Sequence, residues 1–515
     1  MQRSRVTILD LVSRRRSPRL FRRLVDANSI GSIMPQVVAA WCEELGHQVH
    51  YICYAGPEDV GGSLLDETDI LFISSFTRTA QIAYAISNLY RQRGAVTALG
   101  GPHARCYPQD AAQYFDYVLG LTDRKVVEEV LRDGAPYRPH GRQLAATRQP
   151  ESLPGVKQRW RFIESANAKS PMFGAVPMIG SLGCPYSCSF CIDASVPYQP
   201  LSFRQVTEDL RFLLTKRRRP RVAWLDPNFG VRFEDYMGAI EAAVPSGRIG
   251  FIAESSLSLL SEPHLKRLRS NGFDALLPGI ESWYTLGNKS KTGSNVGADK
   301  VRQVADHVNM ILRYVPYVQA NFVLGLDCDE GAEPFELTKR FVDLAPGAYP
   351  AFSLLTAYGQ AAPINLELQR AGRVVPFPFR FLDGKHAMNV RPKNYGWSEF
   401  YGHVVSLTEY AHGWPRARRR AQANRNLGAK MVNLVRAAAG QGGYQARVRD
   451  LLYGDAHARR FFDGASRDLP HFFEKRVRSS LGPLWSWLPP TAVMHDELAY
   501  SKSADAAPGL QTGSP

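Results

Sequence analysis

The stretch that decides the fold is Gly183-Cys184-Pro185-Tyr186-Ser187-Cys188-Ser189-Phe190-Cys191, in which three cysteines have the spacing Cys-x3-Cys-x2-Cys. Their thiolates can bind one soft metal centre together. Neither a cysteine nor a histidine follows soon after Cys191, whereas a closed structural zinc site or an ordinary ferredoxin cluster takes four protein ligands. A cubane iron–sulfur cluster bound here would therefore keep one iron open to a small molecule.

Two other interpretations fit the spacing alone. A zinc knuckle could be completed by a distant histidine, and cysteines also serve as small buried packing residues. Four further cysteines are scattered singly and are predicted to be packing residues: Cys42, Cys53, Cys106 and Cys328. Seven cysteines with three of them clustered favour metal chemistry in a reducing compartment over a disulfide framework.

The cysteine stretch, with an aromatic residue just before its last cysteine, resembles the radical S-adenosylmethionine (SAM) superfamily. There the open iron of a [4Fe-4S] cluster chelates the amino and carboxylate groups of SAM, and reduction releases a 5'-deoxyadenosyl radical. The resemblance implies that Cys184, Cys188 and Cys191 bind the cluster and that Phe190 lies beside SAM. It also implies a reducing electron donor, such as a flavodoxin or a ferredoxin.

The length and composition are those of a globular protein of several domains. The 515 residues suffice for about three domains, and 44% hydrophobic with 22% charged residues does not fit a disordered chain. No apolar run approaches the roughly 18 residues that span a bilayer, and no secretory signal is apparent at the N-terminus. We therefore expect a cytoplasmic protein.

Strand and helix patterns alternate through residues 1–135. The apolar runs that predict strands lie at 6–10, 50–53, 69–75, 96–99 and 117–119, and helical periodicity occurs at 33–45, 80–92 and 124–132. Such alternation predicts a parallel, doubly wound (Rossmann-like) α/β sheet, in which ligands lie at the carboxyl ends of the strands. The next segment, 136–170, is rich in Pro, Arg, Gln and Ser and is predicted to be a linker.

Two of these strand ends resemble the cobalamin-binding domain that precedes many radical SAM cores. They carry Ile-Ser-Ser-x-Thr at 73–77 and Gly-Gly-Pro-His at 100–103, although turn glycines alone would also explain the second. The Asp-x-His-x-x-Gly motif is absent, as it commonly is in radical SAM members, which implies that cobalt has no lower histidine ligand. The resemblance assigns the following residues to cobalamin: Ser74, Ser75, Thr77, Gly100, Gly101 and His103.

Residues 171–375 alternate again and predict a partial (βα)6 barrel, which by the resemblance would be the radical SAM core. The six strand patterns lie at 175–179, 221–225, 250–253, 275–277, 319–324 and 351–355. Pro177 removes one ladder donor, so the first strand should lie at an edge of the sheet. Polar residues follow several of these strands, at the end where barrel active sites lie.

The resemblance assigns several strand-end residues to SAM. Asp226 and Asn228 would lie near its amino group, Glu254 and Glu281 near the ribose and carboxylate, and Phe322 to Gly325 against the adenine. Asp226 precedes a proline and could equally be a turn residue. A carboxylate directly after an apolar strand is costly to bury unpaired, which favours a function for Glu281.

Lys289 and Lys291 follow Glu281 closely and could face an anionic substrate. They stand in a polar stretch outside any apolar pattern, so we predict a solvated loop.

The C-terminal region, 376–500, is predicted to be mostly helical and basic. Between Pro415 and Arg478 there are fifteen Lys and Arg residues against five Asp and Glu. Basic helices with aromatic residues can lie on an anionic membrane surface, but a solvated face over a helical cap is the favoured interpretation. No nucleic-acid-binding motif accompanies the charge, so no nucleic-acid partner is expected. Residues 501–515 are predicted to be a disordered tail.

Together these resemblances imply a cobalamin-dependent radical SAM enzyme. Its expected reaction is methylation of an unactivated carbon of a small-molecule, lipid or tetrapyrrole substrate. Two alternatives stay open: a cyclase or oxidase of the same architecture that does not methylate, and a non-catalytic cobalamin- or metal-binding sensor.

Overall fold

The computed structural model describes residues 3–12, 31–54, 64–169, 174–440 and 442–494. The predicted tail 501–515 lies outside these ranges. Within them the chain forms two six-stranded parallel sheets with helices around them, followed by a helical C-terminal region. No helix in the described ranges has both the length and the hydropathy needed to cross a bilayer.

The N-terminal sheet has the strand order β2-β1-β3-β4-β5-β6, and every pair in it is parallel. Its strands are β1 (Arg5–Leu11), β2 (Gln48–Tyr54), β3 (Ile70–Ser74), β4 (Val96–Gly100), β5 (Tyr117–Leu119) and β6 (Arg142–Leu144). The helices of this region are α1 (Ile33–Glu44), α2 (Ala80–Gln92), α3 (Pro102–Cys106), α4 (Pro108–Ala111) and α5 (Arg124–Asp133). Helices α1 and α5 cover one face and α2 the other, so the doubly wound prediction is confirmed.

The segment predicted as a linker, 136–170, contains regular structure in its described part. Strand β6 extends the N-terminal sheet beyond β5. Helix α6 (Val156–Ala168) packs against α1 and β2 and buries Phe162 and Ile163. The three residues of β6, Arg-Gln-Leu, carry no apolar alternation, which is why the sequence pattern missed this strand.

The central sheet has the order β7-β10-β11-β12-β13-β14, all parallel and in chain order. Its strands are β7 (Ala175–Met178), β10 (Arg221–Trp224), β11 (Gly250–Ser256), β12 (Phe273–Glu281), β13 (Tyr317–Leu324) and β14 (Tyr349–Leu354), and a short antiparallel pair, β8 (Ser181–Leu182) and β9 (Gln199–Pro200), flanks the cysteine loop. The helices between these strands are α7 (Phe203–Lys216), α8 (Phe233–Ala243), α9 (Glu262–Ser270), α10 (Gly287–Ser290), α11 (Gly297–Tyr314) and α12 (Glu333–Leu344). Strands β7 and β14 are the two edges, so the barrel is open, and Pro177 stands in an edge strand as predicted.

Side chains alternate across β13 between the helix layer and the barrel interior. Val318, Ala320 and Phe322 are buried among residues of α11 and α12. Gln319 and Asn321 point the other way and are half-buried. The interior-facing side of β13 is therefore partly accessible and carries the polar side chains of Gln319 and Asn321.

The C-terminal region is helical, as predicted, and continues the cores of both sheets. Its helices are α13 (Ile364–Arg370), α14 (Trp397–His412), α15 (Trp414–Ala423), α16 (Leu427–Ala439), α17 (Gly443–Gly454), α18 (Ala456–Phe462) and α19 (His471–Leu481). One hydrophobic cluster runs from Leu9 and Tyr84 in the N-terminal sheet to Phe461 and Phe473 near the end of the described chain. The amide of Gln81 also donates to the carbonyl of Val493, at 2.9 Å.

Candidate active site

The carboxyl ends of the two sheets face each other. After β4, the guanidinium of Arg105 donates to a carboxylate oxygen of Asp193 at 2.8 Å, just beyond the last cysteine. The hydroxyl of Tyr107 donates to the carbonyl of Ala357, beyond β14, at 3.0 Å. Gly359 lies so close to the N-terminal domain that a Cβ there would approach a carbonyl oxygen of that domain to 1.9 Å. The strand-end loops of the two domains therefore enclose one shared region.

The three cysteines of the predicted cluster motif lie on the loop between β8 and β9. Cys188 is buried, and Cys184 and Cys191 are half-buried. The amide of Cys191 donates to the carbonyl of Cys188 at 2.9 Å, and the amide of Asp193 donates to the Sγ of Cys191 at 3.4 Å. Burial raises the pKa of all three thiols, that of Cys191 to about 11.

This donor set suits an iron–sulfur cluster. One loop carries three thiols, of which two are half-buried and one is buried. They supply soft ligands for three irons of a cubane cluster and leave the fourth iron open. Elsewhere in the described chain, and at this loop itself, no three Cys, His, Asp or Glu side chains converge closely enough to hold a single metal ion.

An ion pair lies beside the cysteine loop. Nζ of Lys289 is 2.7 Å from Oε1 of Glu281, and the two side chains are only 18% and 12% exposed. Burial is the largest single effect and lowers the pKa of Lys289, but the charge and hydrogen bond of Glu281, together with the nearby thiols, leave that pKa raised. The positive charge of Lys289 in turn lowers the pKa of each of the three thiols, against the larger effect of burial. The prediction that Lys289 belongs to a solvated loop is therefore wrong.

Glu281 reaches this position through an unusual backbone. Its φ is +66°, the left-handed region that non-glycine residues seldom adopt. The register between β12 and β13 shifts between Gly279 and Glu281. A Cβ on Gly279 would lie 2.1 Å from Oε1 of Glu281, so this glycine leaves the space that the ion pair occupies. Backbone strain of this kind commonly marks a functional site.

Glu254 is a second carboxylate of the barrel interior. Strand β11 continues past it to Ser256, so it lies within the strand and not, as predicted, at its end. Its side chain is exposed, yet the surrounding protein raises the pKa of its carboxyl, and the negative charge of Glu281 adds to that effect. An exposed carboxylate enclosed in this way faces a space inside the molecule that is open to solvent.

Asp226 and Asn228, both assigned to SAM, have different surroundings. The carboxylate of Asp226 is buried and accepts hydrogen bonds from the amide of Gly180, from the hydroxyl of Ser181 at 2.7 Å and from the hydroxyl of Tyr236. It therefore fixes the turn between β7 and β8. Asn228 is also buried, but neither atom of its side-chain amide has a hydrogen-bond partner. A buried amide without partners is costly, so Asn228 is the better candidate for contact with a bound molecule.

The residues predicted near the adenine, and Phe190, also differ in their surroundings. Phe322 is 2% exposed and packs on Trp283 and Phe341, with ring centroids 5.4 Å apart in each pair. It lies in the helix layer, because β13 turns its even-numbered residues away from the barrel interior, and its contact with the adenine stays a prediction. Gly325 has φ +87° and a Cβ there would lie 2.8 Å from Met388, so the turn requires glycine. Phe190 is half-buried and packs against the cluster shared with the C-terminal region.

At the N-terminal strand ends, Gly100 and Ser74 form an open edge, and Gly101 packs on the turn beside it. Gly100 has no atom within 4 Å of the position that a Cβ would take. Gly101 has φ +90°, and a Cβ there would lie 2.9 Å from the carbonyl oxygen of Ser75. The side chain of Phe76 is 49% exposed beside half-buried Ser74. Bare backbone next to an accessible aromatic ring offers a surface on which a large flat ligand could lie.

The other residues assigned to cobalamin lie inside the domain. The hydroxyl of buried Ser75 is 2.9 Å from that of Thr79, and Thr77 is buried as well. His103 is fully buried, and its Nε2 lies 2.7 Å from the hydroxyl of Tyr84. The structure thus separates Ser74 and Gly100, at the open edge, from Ser75, Thr77 and His103, which stabilise the turn beneath it.

Comparisons with known proteins bear on the whole chain. No protein-family model matches it. It is 24% identical over 357 residues to bacteriochlorophyllide d C-12(1)-methyltransferase of Chlorobaculum tepidum, which covers 68% of this chain and 75% of that protein. It is 25% identical over 309 residues to bacteriochlorophyllide d C-8(2)-methyltransferase of the same organism, covering 56% of this chain and 66% of that protein.

Two solved structures share the architecture. The radical SAM methyltransferase TsrM from Kitasatospora setae, with tryptophan substrate and a SAM analog bound, matches with a TM-score of 0.56 at 12% identity, covering 93% of this chain and all of that one. The cobalamin-dependent radical SAM enzyme OxsB with aqua-cobalamin bound matches with a TM-score of 0.56 at 13% identity, covering 97% and 83%. The fold is that of the cobalamin-dependent radical SAM enzymes. The predicted succession of domain types is thereby confirmed, whereas their boundaries and the roles of single residues stay predictions.

Sequence patterns missed two features of this candidate site. The contact of Arg105 with Asp193 joins residues 88 positions apart. The partnership of Lys289 with Glu281 depends on the left-handed backbone of the glutamate. A basic residue eight positions after a strand-end carboxylate was the one available signal, and its polar surroundings favoured a loop.

Proposed function

We propose that this chain is a cobalamin-dependent radical SAM methyltransferase that methylates an unactivated carbon. Tetrapyrroles are the first substrates to test, because both curated relatives are bacteriochlorophyllide methyltransferases. The observation that carries the proposal is the three-cysteine loop held by Arg105 against the strand ends of the N-terminal domain. That contact joins the loop that would bind the cluster to the strand edge that would bind cobalamin.

The proposal assigns roles to residues on both sides of this region. Cys184, Cys188 and Cys191 would hold a [4Fe-4S] cluster, and Ser74 and Gly100 would contact the corrin. Together, a bound cluster, SAM and methylcobalamin supply hydrogen abstraction by a deoxyadenosyl radical and donation of a methyl group.

The remaining groups would bind SAM and balance charge. Asn228 has an unpartnered amide that can accept from an amino group, and Glu254 faces the accessible interior. Lys289 would offset part of the negative charge of three thiolates, while Glu281 keeps the lysine protonated and positioned. Asp226 acts indirectly, since it fixes the turn that leads into the cysteine loop.

The electron for this chemistry must come from outside the chain. The proposal includes a reducing partner such as a flavodoxin or a ferredoxin, and a cytoplasmic location, where such donors and reduced thiols occur. Peripheral contact with a membrane through the basic C-terminal region is a separate element of the proposal.

The first test is metal content after anaerobic reconstitution with iron, sulfide and hydroxocobalamin. We expect about four irons and one cobalt per chain, the loading of one cubane cluster and one corrinoid. With SAM and a strong reductant, the loaded protein should form 5'-deoxyadenosine. Replacing any one of Cys184, Cys188 or Cys191 with Ala should abolish that product. Cys328→Ala is the matched control, because this thiol is also half-buried but stands outside the triad.

The alternatives give different results in the same assays. A cyclase or oxidase would form 5'-deoxyadenosine without S-adenosylhomocysteine or a methylated product. A sensor would load metal or cobalamin and leave SAM intact. Retained SAM cleavage in the three cysteine variants would refute the cluster assignment.

A further inference from the structure

Helices α15 and α16 close the amino end of the barrel, opposite the cysteine loop. Arg436 of α16 donates to the hydroxyl of Tyr317, the first residue of β13, and to the side-chain oxygen of Gln319 at 2.9 Å. Its guanidinium also lies 3.7 Å from the ring centroid of Tyr349, the first residue of β14. Arg420 of α15 donates to the carbonyl of Ala348 at 2.8 Å. The hairpin of α15 and α16 is therefore fixed rigidly on the barrel.

The two faces of α16 differ in a way that this packing leaves unexplained. Ala429, Asn433 and Arg436, at helical spacing, form the inner face. The outer face carries Leu427 and Met431, which are 73% and 54% exposed. The same outer stripe continues through half-buried apolar residues at 434, 435 and 438. An apolar stripe facing solvent marks an interaction surface.

The apolar surface extends beyond this stripe. Among the described residues nine large hydrophobic side chains are exposed, and five of them belong to α15, α16 and the adjoining end of α12: Leu344, Trp414, Leu427, Met431 and Val432. Asp343 ties α12 to α15 through Arg416 and Arg419, each at 3.3 Å. These five side chains therefore lie on neighbouring, mutually anchored elements.

Along α15, α16 and their flanking residues the charge has one sign. Residues 410–449 contain nine Lys and Arg and no Asp or Glu. Arg418 and Arg425 are exposed and Lys430 half-buried, and none of the three has an ion-pair partner among the described residues. A second copy of this chain would bring like charges together, which opposes a symmetric dimer here. An anionic surface that also accepts apolar side chains fits both properties.

We infer that the outer face of α15 and α16 docks this protein on an anionic membrane surface. Leu427, Met431 and Trp414 enter the boundary between headgroups and acyl chains, as the apolar face of an interfacial helix does. Arg418, Arg425 and Lys430 contact the acidic headgroups. The strand-end site then points away from the bilayer, because the hairpin covers the opposite end of the barrel. The inference stands independently of the reaction that the enzyme catalyses.

The test is co-sedimentation of the full-length, cluster-loaded protein with vesicles of phosphatidylglycerol and phosphatidylcholine, or of phosphatidylcholine alone. We expect binding to the mixed vesicles, loss of that binding as salt rises, and little binding to the neutral ones. Leu427→Glu with Met431→Glu should remove it. Reversing the charges of Arg418, Arg425 and Lys430 should weaken partitioning more than a hundredfold, since each basic residue contributes roughly a fivefold effect.

Matched controls separate this surface from general charge and hydrophobicity. Val296→Glu removes a side chain that is 51% exposed and lies beyond β12, at the other end of the barrel. Reversing Arg204, Lys266 and Arg302 makes the same change in net charge on other exposed helices. Unchanged melting temperature and iron content would show that the variants are folded.

Several results would overturn the inference. The first is a lack of binding to phosphatidylglycerol vesicles. The second is an equal loss of vesicle binding in the control variants, and the third is vesicle binding that persists in Leu427→Glu with Met431→Glu. A dimer in light scattering that this double variant dissociates would instead show that a second copy covers the surface. If the protein co-sedimented with an added acidic protein but not with vesicles, that result would also contradict the inference.

Discussion

Asp226 offers the sharpest test of which residues hold the site and which contact its ligand. Asp226→Ala leaves three donors buried without their acceptor: the amide of Gly180 and the hydroxyls of Ser181 and Tyr236. Each unsatisfied donor costs about 2 kcal/mol, or about 6 kcal/mol in all. Against this, burial raises the pKa of Asp226 to about 6, so its ionisation at neutral pH already costs about 3 kcal/mol. We expect a net loss of about 3 kcal/mol.

The raised pKa of Asp226 determines the direction in which the stability of the protein changes with pH. Because the folded state holds the Asp226 proton more tightly than the unfolded state, this contribution to stability is fully present below about pH 4. It is lost as the pH rises through about 6. An amide does not titrate, so the difference in stability between wild type and Asp226→Asn should shrink by about 2 kcal/mol from pH 4.5 to 7.5.

The assay combines melting temperature with the dissociation constant of SAM. A loss of about 3 kcal/mol lowers the melting temperature of a domain of this size by about 6–12 °C, while the SAM affinity of the folded protein should stay near that of wild type. Asp235→Ala is the matched control, since Asp235 is a partly exposed carboxylate on the neighbouring helix α8. An unchanged melting temperature with a large loss of SAM affinity would show that Asp226 contacts SAM, and the reasoning would be refuted.

Three further predictions concern the rest of the site. Gly101→Ala should lower the melting temperature, because the added Cβ meets the carbonyl of Ser75. Gly100→Ala should leave the melting temperature unchanged and reduce cobalamin uptake measured by absorbance. Equal effects of the two variants would contradict the assignment of Gly100 to the cobalamin-binding edge. Phe322→Leu should cost about 1 kcal/mol of stability without weakening SAM binding by calorimetry, and a loss of SAM affinity would restore the adenine assignment. Lys289→Gln should slow cluster assembly at neutral pH, and it should slow assembly less at alkaline pH, where the thiols ionise without the lysine. Lys289→Arg should recover most of the assembly rate. A loss of rate that does not depend on pH would exclude the electrostatic explanation.

The strands that could be predicted are those whose burial leaves a periodic pattern. Both sheets follow from apolar runs separated by helical segments, and Pro177 correctly marked an edge strand. Strand β6 was missed because an edge pairing of three polar or half-buried residues needs no such pattern. Strand periodicity also defines two faces without saying which one lines the interior, so the sequence did not show that Phe322 is buried in the helix layer.

Local spacing identified the cysteine loop but not its surroundings. Its three thiols stand within eight residues, whereas Arg105 and Asp193 come from different domains. The burial of Lys289 depends on the positive φ of Glu281, which a sequence does not display. Asp226 and Asn228 stand two positions apart in a similar context, and only the hydrogen bonds of the folded chain separate an anchored carboxylate from an unpartnered amide.

The hydrophobic cluster shared by the two ends of the chain has a consequence for how the protein is made. Gln81 lies on helix α2, which packs on the first-synthesised sheet, and its partner Val493 emerges 412 residues later. At about 5–20 residues per second, the ribosome needs roughly 20–80 seconds to deliver that partner. During that time α2 has an apolar face without its final cover. The apolar face of α2 therefore stays accessible to water and to other chains until translation reaches the last helices.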